Sequence, residues 1–114
     1  MIAVIFEVRP ERGRKGEYLA IAASLAGHLK EIDGFISIER FQSLGDEERI
    51  LSLSFWRDET AVAAWRRLQC HRDAQSAGRN RVFADYRLRV ADVLRDYGMN
   101  DRTEAPDDSR ALHG

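Results

Sequence analysis

Phe35-Ile-Ser-Ile-Glu-Arg-Phe41, the turn-forming Ser43-Leu-Gly-Asp46, and Ile50-Leu-Ser-Leu-Ser-Phe-Trp56 together form the stretch on which the fold turns. Each outer run alternates apolar and polar residues, the two-residue period of a strand with one buried face, so the pair predicts a β-hairpin with a longer loop. On either side the period changes. Upstream, Tyr18, Ile21, Ala22, Leu25, Leu29 and Ile32 recur at three and four residues, a helix with one buried face, and Gly34 supplies its stop. Downstream, Asp58 is an N-cap for a second helix with Ala61, Trp65, Leu68 and the stem of Arg72 along one stripe, running towards Phe83 with a break near Cys70.

Outside the helices lie two further strands. Ile2, Val4, Phe6 and Val8 alternate with Ala3, Ile5, Glu7 and Arg9 until Pro10 withdraws a backbone donor. Tyr86 to Asp96 alternates likewise, Leu88, Val90 and Leu94 facing one way, Arg87, Arg89, Ala91, Val93 and Arg95 the other, with Asp92 a misfit on the apolar side. The order βαββαβ is the split βαβ plan. Its right-handed crossovers put both helices on one face of an antiparallel sheet. The expected class is therefore α+β, ferredoxin-like, over residues 1–97. The other face, carrying Ala3, Ile5, Glu7, Ala91 and Val93, is left bare, and a two-fold copy is the commonest cover for such a patch, so a homodimer is expected. From Gly98 the composition turns polar, and 98–114 is expected to be a disordered tail.

Composition narrows the function. The 114 residues are 44% hydrophobic, enough for one core and too few for a second domain. Eighteen Lys+Arg nearly cancel 19 Asp+Glu, leaving a net charge of -1 and no field to hold nucleic acid. One cysteine, Cys70, allows neither an intrachain disulfide nor a Cys-based zinc site. With no signal-peptide pattern and no membrane-length apolar run, the cytoplasm is the default expectation. Gly13 and Gly16 form a turn, with no dinucleotide fingerprint around them.

Phe55-Trp-Arg-Asp-Glu59, Ala63-Ala-Trp65 and His71-Arg-Asp-Ala-Gln75 resemble the antibiotic biosynthesis monooxygenase domain. The likeness runs from about Ile2 to Tyr97 and includes Tyr86-Arg-Leu-Arg-Val-Ala-Asp-Val93 with Arg95-Asp-Tyr-Gly98. The resemblance implies a dimeric α+β barrel. It takes in quinone-forming oxygenases, haem-degrading enzymes, signal-molecule processing enzymes and members without an assigned reaction, so it bears more on fold than on substrate. Its cofactor-free oxygenases bind a phenolic or anthrone-like compound between helices and sheet, deprotonate it, and let the anion reduce oxygen. Such a site needs aromatic walls, one base and an oxyanion donor.

By that resemblance Trp65 shapes the pocket, although a tryptophan in an apolar stripe is as readily core. His71, six residues on and about 120° around an unbroken helix, is the candidate general base, a helix-end surface histidine being its plainer role. Trp56, Phe41, Phe83, Tyr86 and Phe6 are candidate walls, core packing being the alternative for each. His28 and His113 are assigned to the surface and the tail. Cys70 beside His71 points about 100° away and lacks a third orienting group, so it makes no nucleophile. Glu7 is expected to pair with an arginine of the last strand.

The haem-degrading relatives use a strand asparagine, the helix tryptophan and a histidine about ten residues later. Here those positions hold Phe6, Trp65 and Gln75, and neither Phe nor Gln replaces what is lost. The sequence thus predicts a cofactor-independent monooxygenase of a small aromatic or quinol-type compound, with neither metal nor cofactor. A non-catalytic dimeric binding or stress-response module is the competing class, and haem binding ranks third.

Overall fold

The computed structural model describes residues 1–75 and 83–114, and of residues 69–75 the backbone alone. The elements in chain order are β1 (Ile2–Pro10), α1 (Lys15–Leu29), β2 (Phe35–Gln42), β3 (Ile50–Trp56), α2 (Glu59–Gln75), β4 (Phe83–Asp92) and a short α3 (Asp107–His113). The four strands form one antiparallel sheet in the order β2-β3-β1-β4. This is the ferredoxin-like α+β fold predicted from the hairpin between two helices.

Register fixes what each face carries. On the helix side Arg40, Ser52, Phe6 and Leu88 share one row, with Ile38, Ser54, Val4 and Val90 on one flank and Gln42, Ile50, Val8 and Tyr86 on the other. The core beneath the helices is split in two. One cluster joins Val4, Leu29, Trp56, Ala61 and Val62, with Ile2, Ile32, Phe35, Ile38 and Trp65 packed against it. The other joins Val8, Tyr18 and Ile50 with Phe6 and Phe83. α1 therefore reaches from one cluster at Tyr18 to the other at Leu29.

The opposite face carries Ala3, Ile5 and Glu7 on β1, Leu51, Leu53 and Phe55 on β3, Phe41 on β2, and Arg87, Arg89 and Ala91 on β4. Glu7 accepts from Arg89 at 3.1 Å and from Arg49 at 3.3 Å, the ion pair expected of it. Both pairs are solvent-exposed and contribute little to stability.

Several boundaries differ from the sequence expectation. α1 closes at Leu29, and a tight turn in which the Ile32 N–H donates to the Leu29 carbonyl at 3.1 Å leads on to Gly34. Ile32 still packs on the first cluster although it has left the helix. Phe83, expected at the end of the second helix, opens β4 instead and pairs with Pro10 across a register shift. β4 stops at Asp92, so Leu94, expected on its apolar side, lies beyond the strand and is exposed. The Val93 N–H donates to the Met1 carbonyl at 2.9 Å, holding the end of β4 beside the start of β1. Within residues 98–114, expected as a polar tail, the chain forms α3. Arg102 gathers that segment, donating to the Gly114 and Gly98 carbonyls at 2.8 and 3.2 Å and standing 5.3 Å from the Tyr97 ring centroid. No residue of α3 is buried.

Candidate functional site

The start of α2 is pinned from three sides. Asp58 caps it as expected, its Oδ1 accepting the Ala61 N–H at 2.9 Å. That bond, together with Arg57, holds the Asp58 carboxyl below its ordinary value. Arg57 also reaches back to both oxygens of Asp33 at 3.0 and 3.1 Å, which lowers Asp33 in turn, while its own N–H donates to the Gly34 carbonyl at 2.7 Å. Gly34 has φ +93° and lies so close to α2 that a Cβ there would fall 2.8 Å from the Ala61 Cβ. Only glycine fits. Trp65 stands one turn beyond Ala61 on the same stripe, so its position follows from this anchorage.

Aromatic side chains gather at both ends of the helix-side face. At one end Phe35 meets Trp56 edge-on at 5.2 Å and Trp56 meets Trp65 at 5.6 Å. Trp56 is fully buried and its indole N–H donates to the Ser54 hydroxyl at 2.9 Å. Trp56, one of the expected walls, is packed wholly into the first core cluster. Trp65 is half-buried and open enough to meet a ligand. At the other end Phe6 lies 5.8 Å from Phe83 and 5.6 Å from Tyr86, and Tyr18 lies 5.7 Å from Phe83. Three expected walls, Phe6, Phe83 and Tyr86, thus come together. Phe41 does not join them. It pairs with Leu51 and so faces the bare side, because Gln42 and Arg40 take the helix-side positions flanking it.

Between the two aromatic groups β4 offers Leu88 and Val90, 44% and 46% exposed although both lie on the helix side beside Phe6 and Val4. The sequence places them facing the helices but gives no sign that they stay open. Together they form an apolar shelf. From the row of Trp56 to the row of Tyr86 it spans six strand residues, about 20 Å. His71 lies in α2 six residues past Trp65, and its side chain falls outside the described residues, as do those of Cys70 and Gln75.

A different character marks the far side of the sheet, where a shallow pocket of about 230 Å³ is lined by Glu7, Arg9, Arg49, Asp85, Tyr86 and Arg87. Its charged walls suit a solvated surface better than an apolar ring. Among the described residues no cluster of three or more His, Cys, Asp or Glu could hold a metal ion, and no helix is long and apolar enough to cross a membrane.

Comparison with known proteins agrees with this architecture. The jasmonate monooxygenase of Pyricularia oryzae is 48% identical over 101 residues, which is 89% of this chain and 47% of that protein, so the chain spans about half the length of that relative. A candidate antibiotic biosynthesis monooxygenase of Deinococcus radiodurans superposes with a TM-score of 0.72 at 12% identity, covering 86% of this chain and 97% of its own. The haem degrader MhuD of Mycobacterium tuberculosis, solved with two haems in its active site, gives a TM-score of 0.65 at 23% identity over 86% of this chain and all of its own. At those identities the two solved structures speak to the fold alone. Residues 1–77 match the profile of the antibiotic biosynthesis monooxygenases, and the chain belongs to that family.

Proposed function

We propose that the chain is a monooxygenase acting on a small, largely apolar ring compound that lies on the shelf between Trp65 and the Phe6–Tyr86 group. The half-exposed Leu88 and Val90 carry this reading. A helix-side position is normally sealed in the core, and two open apolar residues between two aromatic groups suit a ligand some 20 Å long at most. The relative named for jasmonate makes that compound the first to test, with hydroquinones and anthrones beside it.

In this proposal His71 removes a proton from the bound compound, and Trp65 and Tyr86 orient the resulting anion, the indole N–H and phenol O–H being the donors at hand. For an anthrone-type methylene the electrons balance without another reductant. The anion reduces O2, one oxygen atom ends as the new carbonyl, and the other leaves as water with the two hydrogens of the methylene. Haem is the less favoured occupant, because Phe6 stands where a hydrogen-bonding asparagine would be needed.

A homodimer closed over the bare face completes the proposal. The part-exposed Ile5, Leu51, Leu53 and Phe55 support it, since a contiguous apolar sheet face is seldom left in water. Oxygen uptake with the three substrate classes, parent against His71→Ala, tests the chemistry. Loss of uptake in the variant is expected; equal rates would remove His71 from its role.

A further inference from the structure

We propose that Arg40 and Ser52 form an anchor for the carboxylate of an apolar acid; this rests on the helix-side face being the substrate site and names the substrate's head group.

The two core clusters do not merge, and the row between them is polar where a continuous core would be apolar. Arg40 and Ser52 are direct partners across β2 and β3, side by side on the helix side of the sheet, with Phe6 and Leu88 continuing the row. Cross-strand partners hold their Cβ atoms about 5 Å apart, so one small group can touch both. Ser52 is 7% exposed. Arg40 is largely covered, and its Nε is closed to solvent with no acceptor. Among the described residues neither Arg40 nor the Ser52 hydroxyl has a hydrogen-bond or ion-pair partner.

That absence is informative because nearby cations are satisfied. Arg9 pairs with Asp46, Arg49 with Glu7, and Lys15 donates to Gln42 at 2.6 Å. A buried N–H without an acceptor costs stability, and native proteins pair nearly all such groups. Above the row, Ala22 is buried yet belongs to neither cluster, lying on α1 between Tyr18 and Leu29. Alanine on the helix and serine on the sheet are both small side chains, and Arg40 sets a positive charge at the edge-strand end of the row. The group that suits a guanidinium fork beside a hydroxyl is a carboxylate, taking charge-assisted bonds from the fork's terminal nitrogens and one from the hydroxyl. From there the apolar body runs inward past Phe6 to Leu88, three strand spacings or about 14 Å away.

The test measures binding without turnover. Decanoate and 1-naphthaleneacetate, each beside its methyl ester, are titrated into the parent protein, Arg40→Gln, Arg40→Lys and Ser52→Ala, followed by tryptophan emission and by melting temperature. The acids are expected to bind the parent about tenfold tighter than the esters, and Arg40→Gln to erase that preference with ester binding unchanged. Arg40→Lys retains part of it, and Ser52→Ala loses a smaller share. Without ligand, Arg40→Leu melts no lower than the parent because it removes a buried N–H that has no acceptor. Equal binding of acid and ester, unchanged acid binding by Arg40→Gln, or no saturable acid binding each overturns the anchor. Acid binding through Arg40 without oxygen uptake on any substrate would leave the anchor standing and defeat the monooxygenase reading. Uptake on neutral substrates that Arg40→Gln preserves, with no acid preference, does the reverse.

Discussion

Adding one methyl group at Gly34 tests how α2 is held on the sheet. Two costs follow from the geometry. An L side chain at φ +93° is strained by about 1–2 kcal/mol. The new Cβ also meets the Ala61 Cβ at 2.8 Å, closer than such atoms approach, and the shift it forces costs about 1–3 kcal/mol. Reduced freedom of the unfolded chain returns about 0.4–1 kcal/mol. The net loss is about 1–5 kcal/mol, or roughly 4–20 °C in melting temperature for a chain of this size. Gly13→Ala is the internal control, since Gly13 has φ +80° with nothing within 4 Å, so that variant carries the strain without the collision. It is expected to melt no more than about 5 °C below the parent. Pairing Gly34→Ala with Ala61→Gly removes the opposing methyl and should restore about 1–3 kcal/mol relative to the sum of the single changes. Thermal unfolding by far-ultraviolet circular dichroism reads all five proteins, the parent, the three single variants and the double. Melting of Gly34→Ala within about 2 °C of Gly13→Ala would falsify the close approach, and with it the argument that this contact sets the position of Trp65.

Other consequences are as direct. Ser54→Ala strips the acceptor from the buried Trp56 indole and should cost about 1–3 kcal/mol in urea denaturation, whereas Ser52→Ala, whose hydroxyl has no partner among the described residues, should be nearly silent without ligand. Asp33, Asp46, Asp58 and Asp101 all have folded-state values below the ordinary 3.8, so the stability they add is present above that pH and is lost as pH falls through their lower folded values. Arg57→Gln removes the largest cause for Asp33; its carboxyl should then titrate nearer 3.8 by NMR, and no movement would discount the Arg57 clamp. Leu53→Asp places a charge in the middle of the bare face and should convert the proposed dimer to monomer by sedimentation without lowering helix content; an unchanged sedimentation coefficient, whether from a persistent dimer or from a parent already monomeric, removes the bare face from that role.

The sheet was legible because its period is strict. Alternation in β1 turns Val4, Phe6 and Val8 towards the helices, as the register does, whereas in β3 the register puts Ser52 and Ser54 beneath the helices and Leu51, Leu53 and Phe55 on the bare face, an inversion that alternation does not foretell. Boundaries read less well, since the helical spacing of Ile32 continues past the turn that ends α1, and Phe83 suits a helix face as well as a strand. Phe41 was misplaced for a different reason. An aromatic near a tryptophan-bearing hairpin looks like a wall until one counts that it sits an odd number of residues from Gln42, which joins Lys15 on the helix side. The shelf was half legible: the pattern turns Leu88 and Val90 towards the helices, but how far α2 covers the edge strand depends on its tilt, which no local periodicity encodes. Arg40 stood in a strand run as an ordinary polar member, and only the pairing with Ser52 gives it significance.

The hydrogen bond from Val93 to Met1 has a bearing on how the chain could be rewired. It brings the last residue past β4 against the first residue before β1, so a short linker could close the domain into a ring with little loop entropy to oppose it. New ends could then be opened at Gly45, in the exposed turn between β2 and β3, without cutting a strand or disturbing either aromatic group. Such a permutant would keep the shelf and omit residues 94–114, separating what that segment contributes from what the domain does by itself.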